Sequence, residues 1–235
     1  MKILAIDTAT EACSVALLNE GIQDVIFDIC PQQHSQRILP MIDEILSKHG
    51  LTVNDLDALA YGRGPGSFTG VRIATGIVQG LALGADLPVI EVSTLAAMAQ
   101  QNYMQNGHRV SKVLIDARMQ EVYFGHYAIA DEDGDEIVGE LQSEAVLSPQ
   151  EAIAKFAEIS DDTELSGKAG TGWEAHPNEL LALSDIKTIS VLYPSAEFML
   201  PIAKKAFERS ETISVDDISP IYLRDKVTWK KLPGK

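Results

Sequence analysis

The chain has 235 residues, enough to bury a sizeable core in two lobes of ordinary domain size. Its 46% hydrophobic and 23% charged residues, free of low-complexity tracts and solenoid-period repeats, read as a soluble globular protein. The formal net charge of −15 repels polyanions, so in any nucleic-acid reaction something else must supply most of the grip.

The opening run Met1 to Ile6 is interrupted by Asp7 and reads as a strand, not a signal peptide. No stretch of about 18 apolar residues is available to span a membrane. Cys13 and Cys30 form neither a disulfide framework nor a metal-binding spacing, which points to a reducing, cytoplasmic setting.

In chain order the pattern predicts strands over 2–7, 13–19 and 21–29, with Asn19-Glu20-Gly21 as a hairpin turn. A helix over 36–49 follows, in which Ile38, Leu39, Ile42, Ile45 and Leu46 keep a three-to-four spacing. Pro40 is expected to kink it and Gly50 to end it. Then come a strand over 57–61, a helix over 69–84, a strand over 88–92 and a helix over 94–105. Three strands followed by alternating helices and strands suggest a mixed sheet covered by helices, as in ribonuclease-H-like folds.

Residues 62–76 are the most informative. Gly64-Pro65-Gly66 allows a sharp turn, and Ser67 or Thr69 can cap the helix behind it. Strand, glycine turn and helix together aim backbone N–H groups at an anion above the helix N-terminus; equally, the glycines can serve tight packing on the sheet. From Thr69 to Gly84 apolar residues run all the way round, the mark of a helix buried on every side. Gly76, Gly80 and Gly84 fall four residues apart and form a smooth stripe, suited to a partner's backbone or to a neighbour within one large domain.

Near Asn106-Gly107-His108 the chain resets. Lys112 to Asp116 echoes Lys2 to Asp7, and each aspartate is followed by a turn and an apolar strand. Two lobes built this way are the plan of the actin, Hsp70 and sugar-kinase superfamily, with 1–108 as the first lobe and 109–235 as a smaller, degenerate second one whose C-terminal segment packs back on the first. Asp131 to Glu136 reads as a solvated acidic turn without EF-hand spacing. Ser148 to Glu151 is a capping box opening a helix. Gly167 to Gly172 is glycine-rich without the P-loop pattern, and a last helix follows Ser195. The tail is basic: Arg224, Lys226, Lys230, Lys231 and Lys235 against Asp225.

Asp7-Thr8 and Asp116-Ala117-Arg118 occupy corresponding strand ends, where a magnesium-bound phosphate or simply a structural turn fits. Gly66, Ser67 and Arg118 would complete such a phosphate site with Asp7 and Thr8. Metal-dependent nuclease chemistry lacks its converging carboxylates, since the strand at 57–61 ends in Tyr61-Gly62. No His-Glu-x-x-His is present, and His34, His49, His108, His126 and His176 are scattered singly.

Taken together, Ile6-Asp7-Thr8, His34-Ser35, Gly64 to Ile73, Asp116-Ala117-Arg118 and Tyr222-Leu223-Arg224 closely resemble the bacterial TsaB (YeaZ) family along the whole chain. That family is similar to TsaD, the subunit that places threonylcarbamoyl on the adenosine beside the tRNA anticodon. TsaD-type proteins carry metal-binding histidines after the strand that here ends at Val92, where this chain has Ser93 to Met98. The resemblance therefore implies a subunit that is not catalytic, with no metal or cofactor of its own, that binds and activates TsaD. It implies TsaE as a third component, self-association through much the same surface, tRNA met only indirectly, and ATP or ADP at the interface with TsaD. The expected contact is Ile73, Gly76, Ile77, Gly80 and Gly84, with Ile42 and Ile45 on the helix beside it. The alternatives are an independent small-molecule kinase or ATPase, a protease, and a purely homodimeric structural protein.

Overall fold

The computed structural model describes residues 1–132, 134–160, 165–184 and 186–224. Its first strand explains the architecture. In β1 (Lys2–Asp7) successive side chains point to opposite faces, and both faces are buried: Leu4 and Ile6 join one cluster, Ile3 and Ala5 another. Helices must therefore cover both sides.

β2 (Ala12–Asn19) and β3 (Ile22–Ile29) continue antiparallel from β1, while β4 (Ala58–Gly62) and β5 (Val89–Val92) run parallel to it, in the order β3-β2-β1-β4-β5. α1 (His34–Lys48) and α2 (Phe68–Ala85) lie on the Leu4 face. α1 passes through Pro40 as one helix. α3 (Thr94–Asn106) lies between the two halves of the molecule. Its Ala97 joins the Ile3 cluster, whereas Leu95, Met98 and Ala99 pack on the second sheet.

That second sheet repeats the first. β6 (Val110–Arg118), β7 (Glu121–Glu132) and β8 (Asp135–Leu147) form the antiparallel part; β9 (Ser166–Ala169) pairs parallel to β6, and β10 (Lys187–Val191) to β9. The order β10-β9-β6-β7-β8 superimposes element by element on that of the first sheet. Its outer face is covered by α4 (Pro149–Phe156), opened by the Ser148 capping box, and by the short α5 (Gly172–Ala175). There Phe124, Phe156 and Trp173 make an aromatic stack.

The chain then returns to the first lobe. α6 (Met199–Glu208) places Met199, Leu200 and Ala203 against Ile3 and Ala5. Ile213 bridges Val89, and Ile218 enters the Leu4 cluster. A cut at 108 thus separates α6 from the sheet it covers. The tail lysines lie outside the described residues, as does Asp133 of the acidic turn.

Three expectations are corrected. Ile42 and Ile45, expected at a contact surface, are buried in the Leu4 cluster, because the inward face of α1 is the one carrying the isoleucines. α2 is buried on one side only: Val71, Ala74, Val78 and Ala82 face the core, while Gly76, Gly80, Leu83 and Gly84 are exposed. At 18 residues and a mean hydropathy of 1.2, α2 also has the length and composition of a membrane-crossing helix, contrary to the estimate from sequence. Its inward face is occupied by the packing just described.

Candidate functional site

The glycine turn is bound tightly to the end of β1. Gly64 takes φ +95°, and Gly64–Pro65 is a cis peptide. Ser67 caps α2, its Oγ accepting from the Gly70 N–H at 3.4 Å. The Ser67 N–H donates to the Ala9 carbonyl at 2.6 Å, and the Thr8 hydroxyl donates to the Gly70 carbonyl at 2.7 Å. A Cβ on Gly66 would overlap the Ala9 carbonyl, and one on Gly70 the Thr8 carbonyl. Both glycines are required by this close approach.

Asp7 sits beneath the turn, 1% exposed. Its Oδ1 accepts from the Ala9 N–H at 2.9 Å and its Oδ2 from the Thr94 hydroxyl at 3.3 Å. Burial pushes its pKa up to about 6, against the opposing pull of those two hydrogen bonds. Gly62 leaves room for the carboxylate, since a Cβ there would overlap Oδ2. Thr8 is equally buried.

Between the lobes lies a cleft of about 890 Å³. Gly66, Ser67 and Arg118 line it, with Glu11, Asp116 and Glu174; Asp7 and Thr8 do not. Of the five residues expected to form a phosphate site, the structure therefore brings three together at the cleft. Arg118 Nη1 binds Asp116 Oδ2 at 2.9 Å and its Nη2 reaches Glu11 across the cleft at 3.5 Å. Arg224 closes the rim, donating to the Ala117 carbonyl at 3.0 Å and pairing with Glu121. Both cations are already committed to carboxylates, so the cleft wall offers an anion little uncompensated positive charge. Among the described residues no three His, Cys, Asp or Glu side chains gather as a metal-holding group.

The second surface is the outer face of α2. A Cβ on Gly76, Gly80 or Gly84 would meet nothing within 4 Å. Ile73 and Ile77 border this stripe, half-buried, and Leu83 stands 73% exposed beside it. On α1, which touches α2, the outward residue is Leu39, 52% exposed. Leu83 and Leu39 were missed from sequence. The signal was the phase of each helix, because Ala74, Val78 and Ala82 fix the inward side of α2 and Ile38, Ile42 and Ile45 that of α1.

Two sheets of identical strand order, a helix between them and a cleft above the ends of β1 and β6 define a two-lobed α/β protein of the actin-like ATPase class. A family model described as TsaD, tRNA N6-adenosine threonylcarbamoyltransferase, matches residues 23–167. The chain is 51% identical over 239 residues to the tRNA threonylcarbamoyladenosine biosynthesis protein TsaB of Escherichia coli, covering 100% of both. It is 46% identical to the Haemophilus influenzae protein of the same name, over 100% of this chain and 98% of that one. A solved YeaZ structure from Pseudomonas aeruginosa aligns with a TM-score of 0.80 at 39% identity, covering 94% of this chain and 99% of that one. The chain belongs to the TsaB (YeaZ) family.

Proposed function

We propose that the chain serves tRNA threonylcarbamoyladenosine biosynthesis as a subunit without catalysis of its own, binding and activating a TsaD-type transferase. The observation that carries this reading is the outer face of α2. Helix axes pack about 8–10 Å apart depending on the residues between them, and a glycine stripe permits the close end of that range. Flanked by Ile73, Ile77 and Leu83, the stripe offers apolar area at the rim and backbone contact at the centre. Self-association of the isolated chain would use the same face and compete with the partner.

On this reading the partner supplies the transferase chemistry and most of the grip on tRNA, with TsaE as a third component and ATP or ADP bound at the interface. Activation is then a difference in affinity for two states of the partner: the chain favours the competent one by as much as it binds it more tightly. Sedimentation velocity of the chain, of its cognate TsaD-type subunit and of their mixture tests this. A heterodimer formed at the expense of a homodimer is expected. Gly80→Arg should abolish it while circular dichroism of the chain stays native, and intact pairing of that variant would refute the assignment of the face.

An independent kinase or ATPase is the second reading, and the interlobe cleft is the observation in its favour. Submillimolar nucleotide affinity of the purified chain alone would establish it. Protease chemistry finds less support. The Cys13 thiol is pushed up to about 12, chiefly by burial, and burial likewise raises that of Cys30, so neither is a ready nucleophile.

A further inference from the structure

The sequence has seven arginines, all within the described residues. Six of them lie within 4.0 Å of a carboxylate, Arg63 at Glu144 and Arg118 at Asp116 among them. Arg72 is the exception. It is exposed on α2 and has no carboxylate partner among the described residues, in a chain where Asp and Glu outnumber Lys and Arg by 34 to 19. Aromatic rings hold it instead. Its guanidinium carbon lies 3.6 Å from the Phe68 centroid, and its Nε donates to the Tyr222 hydroxyl at 2.7 Å. The two rings are 58% and 44% exposed, with centroids 5.6 Å apart. Phe68 comes from one turn earlier on α2, and Tyr222 from the returning segment, whose Ile221 N–H donates to the Arg63 carbonyl at 3.1 Å. With Nε taken and one face covered by Phe68, the Nη1–Nη2 end of the guanidinium makes no hydrogen bond among the described residues. Arg72 also heads a row. Gly76, Gly80 and Gly84 follow it at intervals of four, so a segment laid along the open glycines passes the guanidinium.

We infer that Arg72 is the charged anchor of the partner-binding face, and that its Nη1–Nη2 end receives one carboxylate, an Asp or Glu side chain of the TsaD-type subunit. The inference rests on the reading above that the outer face of α2 meets that subunit. A guanidinium presents two parallel N–H donors that match the two oxygens of a carboxylate. Phe68 and Tyr222 fix it before the partner arrives, so little side-chain freedom is lost on pairing. Their rings would also screen the ion pair from water, as the surround of a strong interface arginine does. The occupant is a protein carboxylate because the segment that covers the glycine row is also the one that reaches the guanidinium.

The test is calorimetric titration of the cognate TsaD-type subunit into the full chain. Arg72→Gln should weaken pairing about 30-fold while circular dichroism of the chain stays native, the loss expected of a strong interface arginine. Arg72→Lys keeps the charge without the fork and should recover only part of that loss. Tyr222→Phe removes the hydroxyl that holds Nε, leaves the ring, and should cost less than Arg72→Gln. Carboxylates on the mating surface of the partner are then replaced singly by their amides and titrated into both the unaltered chain and Arg72→Gln. One of them should weaken pairing with the unaltered chain and have little further effect on the variant, which marks a direct pair. If the unaltered chain does not pair at all, the assignment of the face fails and this contact with it. Equal affinity of the unaltered chain and Arg72→Gln would overturn the anchor alone and leave the face in place. A loss in Arg72→Gln that couples to no partner carboxylate would overturn the carboxylate as its ligand.

Discussion

The glycines at the start of α2 and those along its outer face are alike in sequence and opposite in consequence. Gly66 and Gly70 lie against the Ala9 and Thr8 carbonyls, where a methyl group has no room. Gly76, Gly80 and Gly84 face open space, where a methyl group would touch nothing. Each glycine inside a helix costs about 0.8–1 kcal/mol relative to alanine. At Gly70, the one of the first pair inside the helix, that cost is offset within the chain by close packing of the turn on β1. Along the outer stripe no contact among the described residues offsets it. On the proposed function, three such positions beside an exposed Leu83 are where a partner would approach.

The comparison can be broken at its inner end first. Gly70→Ala should destabilise the chain by about 3 kcal/mol or more, because the obstacle is backbone and cannot swing aside. Urea unfolding measures this, and a loss below about 1 kcal/mol would mean that the turn is not fixed as described.

Asp7 gives the next largest effect, and Asp116 is its foil. The two aspartates end equivalent strands, yet Asp7 is sealed under the turn while Asp116 opens on the cleft with Arg118. Burial lifts Asp7 from 3.8 to about 6 in the folded chain. The folded state keeps that proton in a window where the unfolded chain has already released it. The stability this provides is fully present below pH 3.8 and is lost as pH rises through 6. Asp7→Asn retains an acceptor for the Ala9 N–H and removes the titration. The difference in unfolding free energy, variant minus parent, should therefore grow by about 3 kcal/mol across that window. Asp24, held low by Lys48 and His49, is common to both chains and cancels. A difference independent of pH would show that Asp7 is solvated.

How much of this was legible follows from where the information resides. β1 to β5 and their helices were readable because period and punctuation agreed at each element. The duplication was visible in Lys112 to Asp116 because both strands are buried and apolar. β8 was missed because, as an edge strand, it is mostly half-buried along its length and has no strong alternation. β9 and β10 are only four and five residues long, and β9 runs into a glycine-rich stretch. At the site, the composition of α2 suggested burial all round, whereas burial depends on phase. The same error placed Ile42 and Ile45 outside, although their spacing with Ile38 marks the inward stripe of α1. The cleft was legible only in part: Gly66, Ser67 and Arg118 were expected together, whereas Glu11 and Glu174 join them only through the packing of two lobes.

The smallest expected effect tests the outer stripe most directly. In Gly80→Ala a methyl group enters open space, so the isolated chain should gain up to about 1 kcal/mol from helix propensity. The same methyl would hold a partner helix away from the α2 backbone and weaken pairing with the TsaD-type subunit. Stability and affinity then move in opposite directions from one substitution, which a general change in the fold would not produce. A more stable chain that pairs equally well would mean that the partner does not approach at Gly80. In that event Leu83, Ile73 and Ile77, not the glycines, would define the contact.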